Sequence, residues 1–243
     1  THRNWKTSLK RVLTRAHVLP AARALQYHFR RTMDPAFRDR EAGLDQAFRR
    51  FAADYGAAFR RAAPPESSDN QRVLVVSSGS LGQLVEIALV TAFRLAGYRP
   101  VILTDYDRWM KAYYCEIGVQ EHLYWDDCFR HVPMAEAVHL MASIGSFEQL
   151  IKADYCGARV GKYAASTVLR HLRVGRLDLS DRSVRDALLP FLHRAMCYAK
   201  TAEGIVENLR PQLVLSVDTG YSPRGELFDL CLAAGIDTIT WNA

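Results

Sequence analysis

The chain has 243 residues, 49% hydrophobic and 24% charged, with a net charge of +6. This globular composition supports a sizeable core and excludes a disordered chain. No apolar run approaches the roughly 20 residues that would span a bilayer, and no apolar segment follows the basic first residues as in a signal peptide.

The charge is uneven. Thr1 to Ala63 holds 14 Lys or Arg against 5 Asp or Glu, while the remainder holds 18 against 21. Attraction to a polyanion is therefore expected of the N-terminal quarter. The cysteines at 115, 128, 156, 197 and 231 are odd in number, widely spaced and without a C-x-x-C pair. They read as reduced thiols of a cytoplasmic protein, not as a zinc or disulfide framework.

Residues 1–63 read as a basic helical region. Trp5, Leu9, Val12, Ala16 and Leu19 form a helical stripe, and Pro20 is expected to break it. A second helix runs through Leu25 and Phe29. Asp34-Pro35 reads as an N-cap followed by proline in the first turn. The third helix carries Leu44, Phe48, Phe51, Tyr55 and Phe59 on one face, with Arg49, Arg50, Arg60 and Arg61 largely on the others. The aromatic stripe is most simply core packing. A basic amphipathic segment can also lie on an anionic membrane surface. No nucleic-acid motif accompanies the charge.

Residues 64–71, which include Pro-Pro-Glu-Ser-Ser-Asp-Asn, have linker chemistry. From 72 to 243 strands alternate with helices. Val73–Val76 is an apolar, β-branched run suited to a strand buried on both faces. A helix is expected from Gln83 to Ala96, closed by Gly97, then a strand at Pro100–Thr104 and a short helix closed by Gly118. A third strand is expected at Val119–Trp125. Helical stretches follow over Val132–Lys152 with a break at Gly145, Lys162–Leu172 and Val184–Leu209. Leu213–Val217 is the fourth strand. Ser222-Pro223 reads as the cap and first turn of a helix ending near Gly235, and Asp237–Trp241 as the last strand. The fold class is α/β: a Rossmann-like parallel sheet with helices on both faces, preceded by the basic helical region.

Ligands of such sheets sit over the carboxyl ends of the strands, so the strand tips carry the candidates. The loop Ser77–Gln83 offers Ser78, Gly79 and Gly82, followed by a helix N-terminus that can hold an anion. It lacks the G-x-G-x-x-G pattern and also reads as a tight turn. Asp105-Tyr106-Asp107 can bind ribose hydroxyls or a divalent metal, or simply cap a helix. In Asp218-Thr219-Gly220-Tyr221-Ser222-Pro223-Arg224-Gly225-Glu226 a helix N-terminus and Arg224 converge, and Asp218 can act as a base. Gly157-Ala158-Arg159-Val160-Gly161-Lys162-Tyr163 is one residue short of a phosphate loop and has tyrosine where the metal-binding hydroxyl belongs, so an NTPase is excluded. Lys162, Ser166, Thr167 and Arg170 nonetheless form a polar, basic helix face that can meet a substrate. His122, His131 and His139 have no metal-ligand spacing, and no G-x-S-x-G is present.

With these stretches laid out, Arg72–Ala243 resembles the N-terminal, acceptor-side domain of a GT-B glycosyltransferase of bacterial capsular and surface polysaccharide synthesis. The resemblance rests on the glycine loop, on Leu95-Ala96-Gly97-Tyr98-Arg99-Pro100-Val101-Ile102-Leu103-Thr104, on Asp154-Tyr155-Cys156-Gly157 through Arg170, and on Ser222-Pro223-Arg224-Gly225-Glu226. It implies two Rossmann-like domains facing across a cleft, with a second domain beyond Ala243. It implies transfer of a sugar from a nucleotide sugar to a glycan or lipid-linked acceptor hydroxyl, with no other cofactor and no metal. Binding is then expected from Ser78, Gly79, Gly82, Gln83, Asp105, Lys162, Arg170, Tyr221, Arg224 and Glu226. Many relatives have histidine where this chain has Gln83, which cannot take a proton. The base then falls to Asp218, Glu86 or Asp105, Asp218 being preferred. The basic helices would hold a cytoplasmic enzyme peripherally at the inner membrane face. Two alternatives stand beside this reading. One is a nicotinamide- or nucleotide-dependent Rossmann enzyme. The other is a non-enzymatic membrane-surface or partner-binding module.

Overall fold

The computed structural model describes residues 19–61, 71–77, 83–104 and 108–241. The predicted stripe at Trp5–Ala16 and the linker at 64–70 lie outside them. The described elements, in chain order, are α1 (Leu19–Met33), α2 (Pro35–Arg61), β1 (Arg72–Val76), α3 (Gln83–Leu95), β2 (Arg99–Thr104), α4 (Arg108–Glu116), β3 (His122–Tyr124), α5 (Trp125–Cys128), α6 (Met134–Ala142), α7 (Phe147–Lys152), α8 (Val160–Leu172), α9 (Arg182–Leu209), β4 (Leu213–Ser216), α10 (Arg224–Ala233) and β5 (Asp237–Thr240).

The expected α/β class is observed: five strands form one parallel sheet in the order β3-β2-β1-β4-β5. The order reverses at β1, with β2 on one side and β4 on the other. That is the topological switch point, where open α/β sheets leave a crevice. By contact the chain divides into two compact units: residues 1–66 with 79–126, and residues 67–78 with 127–243.

In the first unit α2 packs on α1, α3 and α4. The Phe48 ring lies 4.3 Å from that of Tyr113, and the Tyr113 hydroxyl donates to Asp45 at 3.3 Å. Phe48 of the aromatic face of α2 is therefore core, as is Phe37, while Tyr55 of that face stays exposed. Asp34 caps α2 as its sequence suggests, accepting from the Phe37 amide at 3.1 Å. Pro20 sits in the first turn of α1, where a missing N–H costs nothing. Leu25, Phe29 and Met33, one helical stripe of α1, are all exposed. After α3, Gly97 takes the left-handed conformation (φ 87°) and closes the helix. β3 is shorter than expected, because only His122, Leu123 and Tyr124 find partners, at Ile102, Leu103 and Thr104.

In the second unit β1 pairs with β4 from Val73↔Leu213 to Val76↔Ser216, and β4 pairs with β5 from Leu213↔Asp237 to Ser216↔Thr240. Val73, Leu74, Val75 and Val76 are completely or almost completely buried, as a central strand requires. β5 is polar and mostly exposed. The helical core gathers Met141, Leu150, Val160, Val168, Leu188, Leu192 and Met196, with α9 packed on α6, α8 and α10. The break expected at Gly145 is real: α6 ends at Ala142 and α7 starts at Phe147, capped by Ser146.

Candidate functional site

The site is built at the carboxyl end of β4, next to that of β1. Ser216 ends β4 and its hydroxyl donates to the Asp218 carbonyl at 3.3 Å. The Asp218 carboxylate accepts from the Gly220 amide at 2.8 Å, which turns the chain away from the sheet. Asp218 stays half-buried, with carboxylate capacity left for a second donor. The chain then passes Tyr221, Ser222 and Pro223 into α10.

Arg224 opens that helix. Its guanidinium donates to the Ser77 carbonyl at 3.0 Å. Ser77 immediately follows β1, so Arg224 ties the tip of one central strand to the loop after the other. A cation and a helix N-terminus thus meet at the switch point. Tyr221 is exposed beside them, with the Arg170 guanidinium 5.1 Å from its ring centroid. Lys162 lies on the same helix as Arg170, its ammonium 5.2 Å from the Tyr163 ring. Five predicted residues (Asp218, Tyr221, Arg224, Glu226 and Arg170) therefore belong to one region of the second unit.

Ser222 does not cap α10. The cap position belongs to Pro223, and the Ser222 hydroxyl donates instead to the Glu226 carboxyl. Glu226 is fully buried, and its second oxygen, Oε2, has no hydrogen-bond partner. Burial pushes this carboxyl up to about 8 and the like charge of Asp229 adds to it, against the opposing hydrogen bonds from Ser222 and its own amide. Burial therefore favours the neutral form of Glu226 over the charged one.

Three neighbours of this acid were not expected from the sequence. Asp229, one turn on, is also buried, but Arg159 grips it through Nη2 at 2.7 Å, Nε at 3.1 Å and the backbone amide at 3.0 Å. Burial works against the Asp229 charge, and the Arg159 bonds outweigh it, so this carboxyl is held below its usual range. Tyr163 packs its ring on Gly225 so closely that a β-carbon there would stand 2.1 Å from Cε1. Its hydroxyl is buried beside Asp229 without completing a hydrogen bond. Burial first, then Asp229, raises the phenol. The signal available in the sequence was spacing: Arg159 and Tyr163 are four apart and Glu226 and Asp229 three apart, each pair on one helix face.

Ser78, Gly79, Gly82 and Asp105 lie outside the described residues, and Gln83 is the first residue of α3. Glu86 is completely buried in the first unit and accepts from the Tyr114 hydroxyl at 2.9 Å. A base must touch its acceptor, so these surroundings suit a packing role for Glu86 instead. The phosphate-loop look-alike has a steric cause: at Gly161 a β-carbon would fall 1.7 Å from the Leu150 carbonyl oxygen. Among the described residues no three His, Cys, Asp or Glu side chains gather as for a metal. The void between α10 and the sheet, lined by Val76, Val214, Leu227 and Phe228, is about the size of one water molecule and too small for a substrate. No protein-family model, curated protein or solved structure matches the chain.

Proposed function

We propose that the chain is the acceptor-binding half of a GT-B-type glycosyltransferase, moving a sugar from a nucleotide sugar to a glycan or lipid-linked hydroxyl. The observation that carries this reading is the switch-point arrangement: Arg224 at the start of α10, bonded to Ser77 after β1, with Asp218 half-buried beside it after β4. In this reading Asp218 takes the proton from the acceptor hydroxyl as that oxygen attacks the anomeric carbon and the nucleoside diphosphate departs. Arg224 and the α10 N-terminus stabilise negative charge. Tyr221 offers a flat face to a sugar ring, held by Arg170. The nucleotide sugar is the donor substrate, and the second domain that the resemblance implies would hold most of it. No helix among the described residues is long and apolar enough to cross a membrane. Peripheral attachment through the basic helices would bring the enzyme to lipid-linked acceptors.

The test is a transfer assay on the full-length gene product, with UDP- and GDP-sugars and a lipid extract as acceptor source. Asp218→Asn is expected to keep the melting temperature and to lose roughly 100-fold or more in turnover. A mutant with undiminished turnover removes Asp218 as the base. Calorimetric binding of NAD(H) without any sugar turnover would favour the nicotinamide reading.

A further inference from the structure

Glu226 cannot meet a substrate directly, since no part of it reaches the surface. Its chemistry is turned inward. One carboxyl oxygen accepts from Ser222 Oγ, four residues back, and closes the turn from which α10 starts. Within that turn the Gly225 amide donates to the Tyr221 carbonyl at 2.9 Å. The other oxygen, Oε2, is buried and unpartnered, as is the Tyr163 hydroxyl of α8. Tyr163 lies flat on Gly225 and seals the turn.

The charged groups around Glu226 leave it nothing to pair with as an anion. Asp229, on the same helix, is of like sign. Arg159, at the start of α8, gives its guanidinium to Asp229. Arg224, two residues earlier, sends its guanidinium to Ser77. The carboxyl accepts from the uncharged Ser222 hydroxyl of the turn, and the Tyr163 hydroxyl of α8 is buried beside Asp229. A carboxylate in that position would keep the Ser222 bond, which favours the charged form, but it would be buried without a counter-ion and with a vacant acceptor, and burial outweighs the bond.

We infer that the first turn of α10 is a latch closed by a proton: the neutral carboxylic acid of Glu226, bonded to Ser222, holds the turn that presents Arg224 at the carboxyl ends of β1 and β4, and loss of that proton opens it. Glu226 is thus a positioning residue acting through Ser222 and Arg224. The inference deepens the reading of this end of the sheet as a ligand site. Its tests follow a carboxyl and an amide, not sugar transfer, so either idea can fail while the other stands.

The sign of the pH dependence follows from the two states. In the unfolded chain Glu226 titrates near its ordinary value of 4.5, and in the fold near 8. Between these values the folded form holds the extra proton. The contribution of Glu226 is therefore complete below about 4.5, declines as pH rises and is gone above about 8. Glutamine imitates the neutral acid at every pH.

The experiment follows the Glu226 carboxyl carbon by NMR from pH 4 to 9 in the wild-type chain. It also follows exchange of the Gly225 amide, corrected for intrinsic rates, in wild type and Glu226→Gln. The carboxyl is expected to titrate above pH 7. Gly225 protection is expected to fall at least about tenfold between pH 6 and pH 9 in wild type and to stay level in Glu226→Gln. The two chains should melt within about 2 °C of each other at pH 4, with Glu226→Gln at least about 4 °C higher at pH 9. A carboxyl titrating between pH 4 and 5, equal pH dependence in both chains, or a Glu226→Gln chain that does not fold would each overturn the latch. The last counts because glutamine keeps the neutral shape.

Discussion

At the scale of single residues, Gly225 shows how much one absent carbon decides. The Tyr163 ring occupies the space where a β-carbon would stand, 2.1 Å from the nearest ring atom. Both partners sit on packed helices, so neither can swing aside. Gly225→Ala is expected to destabilise the chain by about 1–3 kcal/mol through overpacking, less a few tenths regained from helix propensity. Urea unfolding measures it. The same substitution made in a Tyr163→Ala background should cost almost nothing, and fully additive costs would refute the contact. The sequence marks Gly225 as helical but not as crowded. Crowding comes from Tyr163, 62 positions earlier, and no local pattern carries that information. Ser222 departs from its expected capping role for a related reason. Its type and place fit an N-cap, yet an acid four residues ahead offered its hydroxyl an acceptor in a dry site, a stronger pull than an exposed amide.

At the scale of elements, α8 and α10 are clasped by Arg159 and Asp229. The ion pair is half open to solvent on the arginine side and almost closed on the aspartate side. Because the Asp229 carboxyl is held below its usual range, its contribution is present above the unfolded value near 3.8 and is lost as pH falls through the folded one. Asp229→Asn should therefore lower the urea midpoint clearly at pH 7, and the gap to wild type should shrink as pH approaches 3. A gap independent of pH would show that the charge of Asp229 contributes nothing. Element positions were mostly legible beforehand. β1 announced itself by four apolar residues in a row and α3 by its closing glycine, and α9 is capped by Asp181, whose side chain accepts from the Ser183 amide at 2.7 Å. β3 was overdrawn because strand length depends on a partner strand, and β2 offers it only three pairing residues.

At the scale of the molecule, parallel α/β architecture was readable from the alternation of strand and helix. What the α2 face packs against was not. Amphipathic spacing says that a face will be covered, and here Tyr113 covers it at Phe48 within the first unit, while Tyr55 stays exposed. The apolar stripe of α1, by contrast, remains on the surface: Leu25 is 72%, Phe29 64% and Met33 65% exposed, on a helix with three arginines and no acid. The peripheral attachment we propose predicts that the chain floats with vesicles containing phosphatidylserine. Reversing Arg49, Arg50, Arg60 and Arg61 to glutamate should reduce the bound fraction at least about tenfold. Unchanged flotation would withdraw those arginines from the interaction and leave the α1 stripe to explain it.

The bond from Arg224 to Ser77 has a bearing on any anion that reaches this end of the sheet. A guanidinium has five N–H donors, and the Ser77 carbonyl engages one nitrogen. An arriving oxyanion would meet a cation whose long side chain was already immobilised when the protein folded. Recognition there need not include the freezing of a floppy arm, which usually weakens arginine contacts made on encounter. On the proposed reading, the seam between two central strands would double as a preset clamp, with the fold itself keeping its jaw in position.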